Sequence, residues 1–266
     1  MVVPQRIELT EAESSQASRT YWNSAAAQYL EDHGGFLGDD RFIWGPEGVD
    51  EESAQLLGPV RGKRILEVGC GAAQCARWLV GQGADVVAFD ISMEQLRIAQ
   101  QLDARTGTAV RTVAADATAL PYADSTFDIV CSAFGALPFV ADVTTALREI
   151  ARTLKPGGLL VFSVTHPIRW SMPDDPYAGG MRIDKSYFDR TPYVEVDDAG
   201  TPVYVEHHRT IGDWIRALTE SGFAIDDLLE PEWPAGHTLI WGGWGPHRGA
   251  YVPGTAIWSA RKEVTG

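Results

Sequence analysis

Two acids and two glycines carry the clearest chemistry in this chain. Glu67-Val68-Gly69-Cys70-Gly71 closes a short apolar run, Ile65 to Val68, and Asp90 follows 19 residues after Gly71, at the end of a second run, Val86 to Phe89. Glycines at a strand end let the backbone approach a ligand closely, and the start of the helix that follows offers unpaired N–H groups to a negative group. An acid at the end of the next strand can accept hydrogen bonds from ribose hydroxyls. Together these residues point to a ligand that contains a nucleoside. Asp90 has a plainer alternative, which is to cap the helix that begins near Ser92.

The dinucleotide fingerprint needs glycine at the sixth position of the turn, where this chain has Gln74, so NAD or FAD is disfavoured. No G-x-x-x-x-G-K-[ST] phosphate loop is present.

Positioning these groups requires strands and helices in alternation. Apolar runs place strands at 63–68, 84–89, 109–114, 127–132 and 159–165, with helices at 73–81, 93–103 and from Thr144 to Leu154. The third helix stops at Lys155-Pro156-Gly157, where proline cannot continue it. A helix from Thr210 to Ser221 and strands at Phe223–Leu229 and Ala256–Ala260 complete the core. This alternation predicts an α/β, doubly wound, mostly parallel sheet with ligands at the carboxyl ends of its strands. Residues 1–17 are polar and read as loosely ordered, Ser18 to Leu30 as a helix, and His33 to Pro46 as a glycine-rich loop with aromatic anchors. Residues 167–206 are too long for a plain connection and read as a lid with a hairpin, Tyr193–Val196 and Val203–Val205. Pro231 to Pro253 is a second insert, rich in aromatics and glycine. No linker divides the chain, so one domain is expected: caps at 1–60, core at 61–165 and 208–263, lid at 166–207.

Glu67-x-Gly69-x-Gly71 resembles motif I of the class I S-adenosylmethionine (SAM)-dependent methyltransferases, with Ala73 where a third glycine is common. Val86–Asp90-Ile91-Ser92 resembles that family's second-strand acid. Ala115-Asp116-Ala117, Leu120-Pro121 and Phe127–Cys131 resemble its third and fourth motifs, and Leu154–Phe162 the turn into its fifth strand. The resemblance covers 60–165 and, more loosely, 209–262. It is to the small-molecule, methyltransferase type 11-like group, and it implies a Rossmann-like seven-stranded sheet with an antiparallel pair at the edge.

The resemblance also implies roles. The backbone of Gly69, Cys70 and Gly71 passes against the methionine part of SAM, and Asp90 takes the ribose hydroxyls. Ile91 packs on adenine, while Asp116 and the Ala117 amide meet its polar edge. Ser132 and Ala133 close the site near the sulfonium. Glu67 supports backbone or cofactor from below, and Tyr21 or Tyr29 on the N-terminal helix touches cofactor or substrate. For Asp116 a turn role remains open, and for Glu67 a structural one.

Methyl transfer needs in-line alignment, with a general base only for a protonated nucleophile. His166, at the end of the fifth strand, is the candidate base; its alternative is a loop histidine bonded to backbone before Pro167. His237 and His247 are second choices, and His207-His208 reads as structural. Six of the nine tryptophans lie outside the core motifs. Trp22, Trp44, Trp170, Trp241 and Trp244, with His237, are candidates for an apolar substrate pocket; the alternative is that they fasten the inserts to the core.

A net charge of −14 and the absence of any basic run oppose a nucleic-acid partner. No apolar run is long enough for a membrane span, and Met1 to Thr10 lacks a signal-peptide core, so a cytoplasmic protein is expected. Cys70, Cys75 and Cys131 have no metal spacing and read as buried and inert. The motif for amino-methylating DNA enzymes is missing after the fourth strand, where Ser132-Ala-Phe-Gly135 stands. The expected function is transfer of a methyl group from SAM, leaving S-adenosylhomocysteine (SAH), to O, S or N of a small aromatic molecule, with a phenol or thiol favoured. An RNA or protein methyltransferase and a non-catalytic SAM-binding regulator are the alternatives. A monomer or homodimer without a metal is expected.

Overall fold

The computed structural model describes residues 3–264. In chain order the elements are β1 (Val3–Arg6), α1 (Glu11–Leu37), α2 (Glu51–Ala54), β2 (Arg64–Val68), α3 (Gln74–Gly81), β3 (Asp85–Asp90), α4 (Met93–Thr106), β4 (Arg111–Ala114) and β5 (Phe127–Ala133). Then follow α5 (Val143–Thr153), β6 (Leu154–Thr165), β7 (Tyr193–Val196), β8 (Pro202–Glu206), α6 (Ile211–Glu220), β9 (Phe223–Leu229), α7 (Pro246–Gly249) and β10 (Thr255–Lys262).

The main sheet has the order β4-β3-β2-β5-β6-β10-β9. Six strands share one direction, and β10 runs antiparallel to both of its neighbours, β6 and β9. Alternate residues of each strand face opposite layers. Leu66 and Val68 join Val87, Phe89, Val130 and the apolar stripe of α5 on one side, whereas Ile65 joins Val86, Ala88, Ile129 and Cys131 on the other. On α5 the buried positions Val143, Ala146, Leu147, Ile150 and Ala151 recur at helical spacing. The chain changes direction along the sheet between β2 and β5, and the crevice above that point is where ligands bind in such sheets.

The N-terminal segment differs from the sequence expectation. Met1 and Val2 lie outside the described residues, but Val3–Arg6 pairs with β7 in a second sheet of order β1-β7-β8. The helix starts at Glu11 because Thr10 and Glu13 form a capping box: the Glu13 N–H donates to the Thr10 hydroxyl, and the Thr10 N–H donates to the Glu13 carboxylate at 2.8 Å. It also runs through Gly34 and Gly35, where glycines suggest a loop. His33 and Phe36 hold this last stretch by packing on Trp241, and Gly38 at φ +71° ends it.

Candidate active site

A cleft opens at the carboxyl ends of β2, β3 and β5, closed on one side by α1. It encloses about 1350 Å³ free of protein atoms, part of it open to solvent. Its floor is the turn from β2 into α3. Gly69 has φ +65°, and a Cβ there would lie 2.2 Å from the Ala136 amide nitrogen. Gly135 is equally confined, since its Cβ would lie 2.3 Å from the Val68 carbonyl oxygen. The two turns therefore interlock through glycine, and backbone replaces side chains at the base of the cleft.

Asp90 organises this floor. Its Oδ2 accepts from the Gly71 N–H and its Oδ1 from the Ser92 N–H, each at 2.8 Å. One carboxylate thus supports both the glycine turn and the start of α4, whose first turn Ser92 caps through the Gln95 N–H. Burial pushes the Asp90 pKa up, opposed by these N–H groups. The capping alternative weighed for Asp90 is therefore real, and it coexists with a place on the cleft wall.

Asp116 accepts from the Thr118 N–H and hydroxyl through Oδ1, and from the Ser15 hydroxyl of α1 at 2.8 Å through Oδ2. Burial pushes its pKa up, but these hydrogen bonds and the charge of Arg19 outweigh that and hold it below the usual range. Glu67 lies beneath the glycine turn, where Oε2 accepts from the Ala76 N–H of α3 at 2.8 Å. Burial raises its pKa to about 8. Cys70 and Cys75 are held as thiols by the same burial.

Ile91, Ala117, Ala133 and Tyr29 also line the cleft, as do the substrate candidates Trp22 and Trp241. Trp22 packs edge-on against Tyr29 and Phe139, and Trp241 stacks on His33 at 3.9 Å between ring centroids. A tight turn carries Trp241, whose N–H and carbonyl both bond to Trp244.

Several expected residues stand elsewhere. Ser132 donates its hydroxyl to the Val68 carbonyl at 2.7 Å, so it ties β5 to β2 behind the cleft wall. Tyr21 turns toward the hairpin, edge-on to Tyr204. Trp44 is fully buried, its Nε1 donating to Glu51, and fills the core under α3. Trp170 is buried against Tyr193 and His208, and Trp244 against Arg248. His237 bonds the Pro46 carbonyl one layer behind the wall. His166 does not reach the cleft either. Its Nδ1 accepts from the Ile168 N–H, its Nε2 lies 2.7 Å from Glu230, and the ring is buried. The loop-histidine alternative describes it, and burial lowers its pKa.

Sequence reasoning missed Ser15, Ser18, Phe36, Arg41, Phe134 and Phe139, all on the cleft wall. The Thr10-x-x-Glu13 capping signature could have moved the start of α1 and exposed Ser15 and Ser18. Phe134 and Phe139 follow the fourth strand directly, where strand-end logic alone places them. Ser18 Oγ is buried without a partner among the described residues. Among those residues no group of His, Cys, Asp and Glu could hold a metal, and no helix is long and apolar enough to cross a membrane.

A family described as a methyltransferase domain matches residues 66–162. The chain is 39% identical over 112 residues to a demethylmenaquinone methyltransferase of Renibacterium salmoninarum, covering 42% of this chain and 45% of that protein. It is 37% identical over 119 residues to a malonyl-[acyl-carrier protein] O-methyltransferase of Pseudescherichia vulneris, covering 43% and 45%. The chain spans about half the length of these curated relatives. The crystal structure of a SAM-dependent methyltransferase from Mesorhizobium loti superposes with a TM-score of 0.64 at 31% identity, over 82% of this chain and all of that one. A glycine turn braced by a buried acid, on this strand order and with likeness over the whole of a solved relative, places the chain among the SAM-dependent methyltransferases.

Proposed function

We propose that this protein transfers a methyl group from SAM to a small, aromatic or heteroaromatic acceptor. The observation that carries the reading is the cleft itself. Ligand pockets are lined by apolar and aromatic side chains with a few placed polar groups, and this cleft sets bare backbone and the acids Asp90 and Asp116 on one wall against Trp22, Tyr29, Phe36 and Trp241 on the other. The first wall suits a polar cofactor and the second an apolar acceptor. The names of the two curated relatives support a small acceptor, whether free or tethered.

The residues present fit the cofactor. Gly69, Cys70 and Gly71 offer bare backbone to its methionine part, and Asp90 keeps outward lone pairs for ribose. Ile91 and Ala117 would frame adenine, with Asp116 at its amino edge. Ala133 and the adjoining Phe134 would face the reacting end, and Ser18 would supply an uncommitted hydroxyl. Arg41, a cation on this wall, suits a carboxylate. When bound, SAM supplies a methyl group on a positively charged sulfur. The chain aligns the acceptor, with Trp22, Tyr29, Phe36, Phe139 and Trp241 offering flat apolar faces that orient a ring and exclude water.

No histidine lines the cleft among the described residues, and burial pushes the Tyr29 hydroxyl well above its usual range. The acceptor therefore brings its own nucleophile: a thiol, an acidic phenol or an amine. A screen of such compounds, read as SAH formed from SAM, tests this. Turnover that tracks ionisation of the acceptor is the expected result. SAH binding without turnover on any small acceptor, together with methylation of a protein or RNA, would overturn it.

A further inference from the structure

Helix α1 meets the cleft along one stripe. Ser15, Trp22, Tyr29 and Phe36 recur every seventh residue, close to two turns of helix, and Ser18 fills a position between the first two. Four serines lie on this helix, and three have partners. The Ser14 hydroxyl bonds the Phe139 carbonyl and His207 Nε2, that of Ser15 donates to Asp116, and that of Ser24 donates to the Tyr21 carbonyl. Inside a helix a serine hydroxyl can bond the carbonyl one turn back or point to water. Ser18 does neither: its Oγ is buried without a partner among the described residues, and the residue is 5% exposed. Of the buried side-chain polar atoms left unpartnered among those residues, it is the one whose residue lines the cleft.

The residues around Ser18 fix its place in the cleft. Ser14 and Trp22 lie one turn to either side, and both hold Phe139: Ser14 through that carbonyl at 3.2 Å, Trp22 by edge-on packing at 5.4 Å between ring centroids. Ser18 therefore stands between the two contacts that hold Phe139, at the edge of the aromatic wall. Asp116, the acid on the facing wall, is already served by Ser15 and Thr118 and takes no second hydroxyl from α1. Unpaired buried donors are rarer in folded proteins than unfilled lone pairs. The group that completes the site is thus a hydrogen-bond acceptor on the molecule that lies against Trp22 and Phe139.

Resting on the small-acceptor reading above, we propose that Ser18 determines specificity for the methyl acceptor: its hydroxyl donates to a carbonyl oxygen or ring nitrogen of the aromatic substrate. A ring that bears such an atom completes the bond, whereas a plain hydrocarbon ring leaves the hydroxyl buried and unpaired. A site with such a group rejects the analogue that lacks the partner more strongly than an apolar pocket rejects a change of size. The free protein gains nothing from this hydroxyl, because alanine is the better helix former and buries no polar atom.

Two matched pairs of phenols test the bond: 4-hydroxyacetophenone against 4-ethylphenol, and 6-hydroxyquinoline against 2-naphthol. Their affinities for the SAH-loaded protein, by calorimetry, and their turnover with SAM, as kcat/KM, are measured in the wild type and in Ser18→Ala. The wild type should prefer the carbonyl or nitrogen member of at least one pair, and Ser18→Ala should cut that preference about three- to tenfold. Comparing each pair between the two proteins cancels the acidities of the phenols themselves. SAH affinity should stay within about twofold, and the Tm of the free variant should be unchanged or up to about 3 °C higher. An equal preference in the two proteins would overturn the inference and leave the small-acceptor reading intact. So would a lower Tm in the free variant, the mark of a structural bond, or a matching loss of SAH affinity, which would assign the hydroxyl to the cofactor. Neither binding nor turnover of any of the four phenols, while SAH binds, would overturn the small-acceptor reading and the inference with it.

Discussion

Replacing Asp90 by Asn separates two roles that the structure assigns to one carboxylate. The change is isosteric and keeps one acceptor oxygen, but it turns an NH2 group toward either the Gly71 or the Ser92 N–H, both now bonded at 2.8 Å. Losing a charge-assisted hydrogen bond to a buried donor costs about 1.5–3 kcal/mol. Removing a buried charge returns part of that, because burial already opposes the ionised form of Asp90. The net expectation is a loss of about 1–2 kcal/mol in the free protein, equivalent to roughly 2–4 °C in Tm for a chain of this size. Thermal unfolding followed by circular dichroism, without ligand, measures it. In parallel, SAH affinity by calorimetry should fall at least tenfold, or about 1.4 kcal/mol. A residue that only received ribose hydroxyls would leave the Tm of the free protein unchanged. That result, with weakened binding, would refute the argument that Asp90 builds the floor of the cleft.

Two further outcomes follow from buried histidines. His207 accepts from or donates to the Ser14 hydroxyl of α1 at 2.8 Å, and burial together with Arg209 pushes its pKa down to about 3. A folded-state value below the unfolded 6.5 gives stability that is full above pH 6.5 and is lost as pH falls toward 3. Between pH 6.5 and 5 the loss should reach about 2 kcal/mol, seen as a falling urea midpoint. His207→Gln should flatten that slope, and parallel profiles for the two proteins would disprove the assignment. His166→Gln should leave kcat and its pH profile unchanged on any acceptor found, since the ring sits under Glu230 away from the cleft. Loss of the acid limb of that profile would instead restore His166 as a base.

The parts of the site legible in the sequence are those set by local geometry. Gly69, Gly71, Asp90 and Asp116 all sit within three residues of a strand end, and a strand end in a parallel sheet has a known direction. The tryptophans were not legible in the same way. A large aromatic side chain can line a pocket or fill a core, and composition does not separate the two. Trp44 and Trp244 went to the core because a loop folding under α3 and a turn closing on Arg248 buried them; Trp241, three residues from Trp244, faces the cleft. His166 misled for a subtler reason. It follows the correct strand, but Pro167 starts a tight helical turn at 167–171, and the Ile168 N–H draws the ring inward. Helix α1 was misjudged because two glycines looked like a break, although tertiary contacts from His33 and Phe36 outweigh their propensity cost of about 1 kcal/mol each.

The division of labour along the chain explains why cofactor chemistry is easier to assign than the acceptor. The family match covers 66–162, and that stretch contains Glu67, the glycine turn, Asp90 and Asp116. The wall opposite comes from outside it: Ser15, Trp22, Tyr29 and Phe36 from α1, and Trp241 from the insert before β10. The two parts of that wall touch through the stacked His33 and Trp241 rings. Helix α1 also grips the cofactor side, through Ser15 on Asp116 and through Asn23, whose Oδ1 accepts from the Ser92 hydroxyl and the Glu94 N–H. One helix therefore spans both halves of the cleft. Any change that displaces α1 therefore disturbs at once the hydrogen bonds that brace Asp116 and Ser92 and the aromatic faces of Trp22, Tyr29 and Phe36.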